Sequence, residues 1–462
     1  MIATRLSEIA AAVGGTLAGD DVSVTGEAYY DSRTPSAHGL YVAIVGARSD
    51  GHDFADGAHA VLGSRPTSAP TVVVPDPVAA LARLARHQLE LPQAPTVLAM
   101  TGSQGKTGTK DYLAAVLRHV HGDDAVVATA ANNNNELGVP ITVLKAGPST
   151  SHLVVEMGAR GVGHIAELCR IAPPRLAAVL NVGSAHLSEF GSREAIAQGK
   201  GEIVEALPAD GVAVLNADDP LVAAMRPRTR ARVLTFGTEG DVRWRDLRTG
   251  RLGSTTFELG YAGRWTTVSL RQPGAHQVLN AAAAAALAIG DGADLEAVAD
   301  ALSAAGPASR WRMEVAERAD GLVVVNDAYN ANPEAVRAAL EALVTMAGEP
   351  PARRRTVAVL GVMLELGPEH DAGHRSVGRA ARELGVDVVV VVGSQAAGIA
   401  EGAEGTGEGG DAHGPLVVRT EGRDGAVAWV RQNARPEDVV LVKASRGAAL
   451  ELVVEAIMEE TT

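Results

Sequence analysis

Several short runs in this chain hold residue types that could handle phosphate. The first is Thr101-Gly102-Ser103-Gln104-Gly105-Lys106-Thr107, which follows an apolar stretch at 96–100 and opens a helical pattern. Glycines let backbone amides close around phosphate oxygens. A lysine neutralises the β and γ phosphates, and a neighbouring hydroxyl can hold Mg²⁺. Gly102, Ser103, Gln104, Gly105, Lys106 and Thr107 are therefore the candidate nucleotide-binding residues. The strict pattern needs glycine where Met100 stands, so the loop is a shortened one. The side chain of Gln104 is expected to matter little, because such loops work through backbone amides.

Four further groups follow in order. Glu156 ends the apolar run Val154-Val155, which places it at the carboxyl edge of a sheet, where ligands bind and where it could hold the nucleotide's Mg²⁺. Asn181-Val182-Gly183-Ser184-Ala185-His186 comes next, with Lys200 fourteen residues beyond His186. Gly274-Ala275-His276-Gln277-Val278-Leu279-Asn280 opens an alanine-rich helix. Finally, Trp311-Arg312-Met313-Glu314 precedes Asn326-Asp327-Ala328-Tyr329-Asn330-Ala331-Asn332-Pro333. Asp327 ends a strand, and together with Arg312 it suggests a second contributor to the nucleotide site. Singly, each has a plainer reading: Glu156 as a surface carboxylate, His186 as a structural histidine, Lys200 as a helix-surface lysine. Lysine is scarce, however. The chain has five lysines (Lys106, Lys110, Lys145, Lys200, Lys443) among 41 basic residues, so those that remain favour sites needing a compact ammonium or a nucleophilic amine.

The elements that must position these residues are of two kinds. Short strands and turns fill 1–92, with strands at 40–45 and 71–74, a helix at 81–89 and a proline-containing linker at 91–95. Beyond it, strands at 96–100, 152–156, 177–182 and 212–215 alternate with helices, the pattern of a parallel, doubly wound sheet. Residues 230–270 read as an antiparallel edge, and 278–290 as a helix capped by Gly290. From about 310 a second alternation begins, with strands at 322–326, 356–360, 387–392 and 438–442.

Composition narrows the function. At 462 residues, 46% hydrophobic and 21% charged, the chain is an ordinary globular protein of several domains. A net charge of −14 without a basic stripe argues against nucleic acid as a partner. No apolar stretch reaches the ~18 residues of a spanning helix, so membrane insertion is not expected. The single Cys169 rules out an internal disulfide and any multi-cysteine metal site. The first ten residues lack a signal-peptide pattern, which makes a cytoplasmic location the expectation.

Taken in order, Gly-Ser-x-Gly-Lys-Thr, Glu156, His186 with Lys200, His276 to Asn280, Arg312 and Asp327 resemble the motif set of the Mur ligases over essentially the whole chain. These are ATP-dependent amide-bond ligases of peptidoglycan precursor synthesis. The segments 131–140, 327–333, 359–367 and 442–447 resemble the member of that family that takes D-alanyl-D-alanine. The resemblance implies an α/β fold in three domains. These are a smaller N-terminal UDP-substrate domain at 1–93, a central P-loop-type ATPase domain with a doubly wound parallel sheet at 94–309, and a C-terminal Rossmann-like domain at 310–462.

It also implies the substrates UDP-N-acetylmuramoyl-tripeptide and D-Ala-D-Ala, ATP, two Mg²⁺ sites and action as a monomer. Lys106, His186, Lys200 and Arg312 would be catalytic. Thr107, Glu156, His186 and Lys200 would serve the metals, Lys200 as a carbamate formed with CO₂. Asn280 would approach the adenine, Arg312 the γ-phosphate, and Asp327 the ribose, unless it positions the C-terminal domain. Ser32, Arg33, Asn135, Asn330 and Asn332 would contact the other substrates. Gln277 stands where asparagine is common, which weakens the case for adenine contacts there. A P-loop kinase would explain 101–107 and Glu156 but none of the later motifs. A folylpolyglutamate-type ligase would not explain the UDP-like segment at 31–33 and 46–54.

Overall fold

The computed structural model describes residues 1–183, 190–405 and 414–459. Strands at the start of the chain build a five-stranded sheet in the spatial order Thr16–Ala18, Thr71–Val73, Ala60–Gly63, Leu40–Val42, Ala28–Tyr29. Only the first pair is antiparallel. The helices Leu6–Val13 and Pro77–Gln88 bury their leucines against it.

The central sheet has six strands, all parallel, in the order Arg232–Phe236, Val212–Asn216, Leu176–Val179, Thr96–Thr101, His152–Glu156, Val126–Ala128. The inner strands are runs of Val, Leu and Ala buried on both faces, as a sheet covered by helices on both sides requires. The chain enters at Thr96–Thr101, winds to one side, then crosses to the other at Leu176–Val179. The strand order therefore reverses at the carboxyl end of Thr96–Thr101, where such sheets bind ligands.

Two helices stand side by side over this switch point, Lys106–His121 and His276–Asp291, each of 16 residues. The second is buried round its whole circumference, with Ala281 through Ala286 fully inaccessible. The sequence expectation differs in two places. The helix ends at Gly292 (φ +108°), not at Gly290, which lies within its last turn and where a Cβ would crowd Leu176 and Val212. Residues 230–270 also divide: Arg232–Phe236 completes the parallel sheet, while Arg243–Thr249, Thr255–Tyr261 and Arg264–Leu270 form a separate antiparallel meander.

The last sheet has the order Glu314–Glu317, Val323–Asn326, Val439–Lys443, Thr356–Leu360, Val388–Val392, Leu416–Thr420, parallel except at the Glu314–Glu317 edge. The helix Pro333–Ala347 begins beside the central sheet's carboxyl edge.

Candidate functional site

The loop after Thr96–Thr101 is held by its neighbours rather than by itself. Gly105 opens the following helix with φ +79°, and a Cβ there would lie 2.3 Å from Asn280 Oδ1, so only glycine fits. The Ser103 amide donates to the Asn181 carbonyl and the Gln104 amide to Asn181 Oδ1 (2.9 Å). Lys106 Nζ donates back to the Gly102 carbonyl at 2.8 Å.

Beside the loop, the neighbouring strand ends in Glu156, which is 2% exposed. One of its carboxylate oxygens accepts from the Thr107 hydroxyl (3.1 Å) and the other from Asn134 Nδ2 (2.8 Å). The Glu156 carboxylate and the Thr107 hydroxyl beside a phosphate loop offer oxygen ligands that fit a hard divalent cation.

Three basic side chains converge here. Lys106 and Lys200 repel each other, and so do Lys106 and Arg312. Burial, reinforced by Lys106, holds the Lys200 ammonium well below the usual lysine range. Lys200 is 2% exposed and has no hydrogen-bond acceptor among the described residues. Burial likewise lowers Lys106, partly offset by Glu156. Burial favours the unprotonated, nucleophilic form of Lys200, while Lys106 and Arg312 suit the pocket to anions on a chain whose net charge is −14.

Arg312 arrives from the C-terminal sheet. It lies between two residues in the left-handed region, Trp311 (φ +58°) and Met313 (φ +49°). Such backbone persists only where it is pinned. The Trp311 amide donates to Glu314, the Met313 amide to Asp327 Oδ1 (3.2 Å), and the Tyr329 amide to the Trp311 carbonyl. Arg312 stacks on the Tyr329 ring at 4.2 Å, and Arg446 on the Trp311 ring at 4.3 Å.

The family model for the Mur ligase middle domain matches residues 100–288, and that for the Mur ligase glutamate ligase domain matches 311–446. A UDP-N-acetylmuramoyl-tripeptide–D-alanyl-D-alanine ligase of Mycobacterium tuberculosis is 44% identical, over 100% of this chain and 99% of that protein. The chain belongs to the Mur ligase family. The Escherichia coli ligase of the same name is 35% identical over 100% of both chains. Among solved structures, MurF from Acinetobacter baumannii superposes with a TM-score of 0.86 at 29% identity, covering 99% of each chain. MurF from Thermotoga maritima in complex with ADP gives 0.79 at 32% identity, covering 95% of this chain and 98% of that one.

In this Mur ligase the expected residues divide into those that gather and those that do not. Gly102 to Thr107, Glu156, Lys200, Asn280 and Arg312 lie in one place. His186 lies outside the described residues. Asn280 packs on the phosphate loop and donates to Gln277 Oε1 (3.0 Å).

Asp327 is spoken for. Lys443 Nζ donates to its Oδ2 at 2.5 Å and the Met313 amide to its Oδ1, so it braces the Arg312 segment. Asn332 caps the helix Pro333–Ala347, accepting from the amide of Ala335 (2.8 Å), and Asn135 accepts from the Gly138 amide (2.9 Å) just ahead of the helix Gly138–Leu144. Asn330 Oδ1 accepts from the amide of Ala331 (2.9 Å), and its carbonyl accepts from Lys443 (2.9 Å). Ser32 and Arg33 sit on a turn of the first sheet's domain, where exposed Arg33 pairs with Asp31.

Three contacts escaped the sequence. Asn134 faces Glu156. Gln104 does use its side chain: Nε2 donates to Glu334 Oε2 (3.1 Å), tying the phosphate loop to the first turn of Pro333–Ala347. Tyr329 supplies the ring under Arg312.

Proposed function

We propose that this Mur ligase joins D-alanyl-D-alanine to UDP-N-acetylmuramoyl-tripeptide at the expense of ATP, in the cytoplasm, as a step of peptidoglycan precursor synthesis. The observation that carries the reading is the convergence of Lys106, Lys200 and Arg312 on the Glu156–Thr107 pair at the sheet's switch point. The names of the M. tuberculosis and E. coli relatives supply the substrates.

The chemistry runs in two steps. A carboxylate oxygen of the tripeptide attacks the γ-phosphorus of ATP, the bond to the bridging oxygen breaks, and ADP leaves. The amine of D-alanyl-D-alanine then attacks the acyl carbon. Phosphate departs and the nitrogen loses a proton. Two anions must meet in the first step, so the residues that screen charge do most of the work. The loop amides and Lys106 bind the β and γ phosphates, and Arg312 meets the transferred group. Mg²⁺ held by Thr107 and Glu156 would withdraw charge from the phosphate oxygens.

Lys200 is assigned as a carbamate. Its amine is desolvated and carries a lowered pKa, the state that attacks CO₂, and the product is an oxygen anion suited to a second Mg²⁺ alongside His186. We assign the three domains to 1–93, 94–309 and 310–462, holding the UDP substrate, ATP and the closing site respectively. Ser32 and Arg33 remain our candidates for the UDP segment.

The test is phosphate release from Mg-ATP with tripeptide alone, D-alanyl-D-alanine alone, and both. Release that needs both, with a pentapeptide product, supports the proposal. Release unchanged without either substrate overturns it. Carbamylation is tested by ¹³C NMR in ¹³C-bicarbonate. A carbamate signal in the wild type that is lost in Lys200→Arg, along with activity, supports the assignment. A fully active Lys200→Arg overturns it.

A further inference from the structure

The amino ends of the central strands, opposite the nucleotide edge, carry a second cluster of metal-ligating groups. His152 opens the strand His152–Glu156, His121 closes the helix Lys106–His121, and Asp291 closes the helix His276–Asp291. One ligand atom from each of the three lies within 4.8 Å of the other two. His152 Nε2 is 3.0 Å from Asp291 Oδ2, and the two imidazoles stack at 4.2 Å. A tetrahedral zinc site with bonds of ~2.0–2.1 Å has ligand–ligand edges of roughly 3.3 Å, so the His152–Asp291 edge is already at coordination distance. Only exposed His121, on the last turn of its helix, must turn inward.

Three further observations favour a cation. The Ser151 hydroxyl is 2.8 Å from His152 Nδ1, an outer-sphere hydrogen bond of the kind that fixes a ligating imidazole with its other nitrogen outward. Two helices end here, and the negative ends of their dipoles point at the same spot. Asp291 also borders an open cleft of about 350 Å³, which leaves room for water ligands. The arginines lining that cleft are already engaged, Arg175 with Asp210 and Arg232 with the Gly290 carbonyl.

We propose that His121, His152 and Asp291 form a binding site for a zinc-class divalent cation, distinct from the nucleotide site. Two nitrogens and one carboxylate suit Zn²⁺, Co²⁺ or Ni²⁺ rather than Mg²⁺. The ion would fasten together the far ends of the two helices whose near ends carry Lys106 and Asn280. Each helix is roughly 24 Å long at 1.5 Å per residue, so the ion would act on rigidity and not on the reaction.

The experiment is titration of the metal-stripped full chain with Co²⁺ and Zn²⁺ under saturating Mg²⁺, which occupies the nucleotide site. The expected result is one equivalent bound, with Co²⁺ d–d absorption bands, and a melting temperature raised by Zn²⁺. His121→Ala and Asp291→Asn each weaken binding at least tenfold and abolish the rise in melting temperature, while Mg-ATP turnover without zinc stays at the wild-type level. Ser151→Ala, which leaves every ligand in place, weakens binding about tenfold and covers the case of an unstable ligand variant. The proposal is overturned if the wild type shows no saturable binding under Mg²⁺, or if His121→Ala and Asp291→Asn bind as the wild type does.

Discussion

Replacing Lys443 by methionine isolates what holds Arg312 in place. The Lys443 and Asp327 side chains are 3% and 10% exposed, and the ammonium donates to Asp327 Oδ2 at 2.5 Å and to the Asn330 carbonyl at 2.9 Å. Methionine keeps the length and apolar stem of the side chain but leaves the carboxylate buried without its cation. Removing one partner of such a pair costs about 3–5 kcal/mol. For a unit of 150–250 residues each kcal/mol moves the melting temperature by about 2–4 °C, so a fall of roughly 6–20 °C is expected in the C-terminal transition. Differential scanning calorimetry reads it directly. The double variant Lys443→Met/Asp327→Asn removes the stranded charge and should regain most of the loss, because the asparagine oxygen can still accept from the Met313 amide beside Arg312. A single variant that melts within 2 °C of the wild type, or a double variant less stable than the single, would refute the reasoning.

Two further outcomes follow from contacts already described. Gln104→Ala removes a hydrogen bond to a carboxylate that exists only while the C-terminal sheet's helix abuts the phosphate loop. At the low end of ~1.5–3 kcal/mol for charged hydrogen bonds, kcat/KM for the amine should fall about tenfold, with ATP-analogue affinity by calorimetry unchanged. Lost ATP affinity would place Gln104 on the nucleotide instead. Buried His374 accepts from the Met363 amide at Nε2 (2.9 Å), and burial holds its pKa below the histidine norm. Its stabilisation is therefore complete above the unfolded value near 6.5 and is lost as pH falls below it. The urea midpoint should drop between pH 7 and 5, and less steeply in His374→Gln. Equal slopes would discount the residue.

What could be read from the chain follows the range of each signal. Local spacing identifies the phosphate loop, because strand, glycine turn and helix are consecutive in sequence. Lys200 stands out through scarcity, and its burial beside Lys106 agrees with that. The contact of Asn134 with Glu156 is not legible in sequence, because in the run Asn132 to Asn135 chemistry is identical and only the loop's path decides which one faces the carboxylate. Asn332 is a binding candidate from the sequence, and its position one residue before Pro333 is also a cap signature, which the structure uses. The contact of the Gln104 side chain is not legible in sequence because its partner Glu334 is 230 residues away, a separation at which a single sequence carries no pairing information.

The alanine helix His276–Asp291 has a consequence for motion. A helix normally breathes from its solvent side, but this one has no such side over Ala281 to Ala286. Its amides can exchange with solvent only when the sheets around it come apart, so they should be the last in the molecule to take up deuterium. Methyl-sized side chains also let neighbouring backbone approach closely, leaving no room for one end to shift while the other stays still. Asn280 at its head and Asp291 at its tail are therefore held on a single stiff rod.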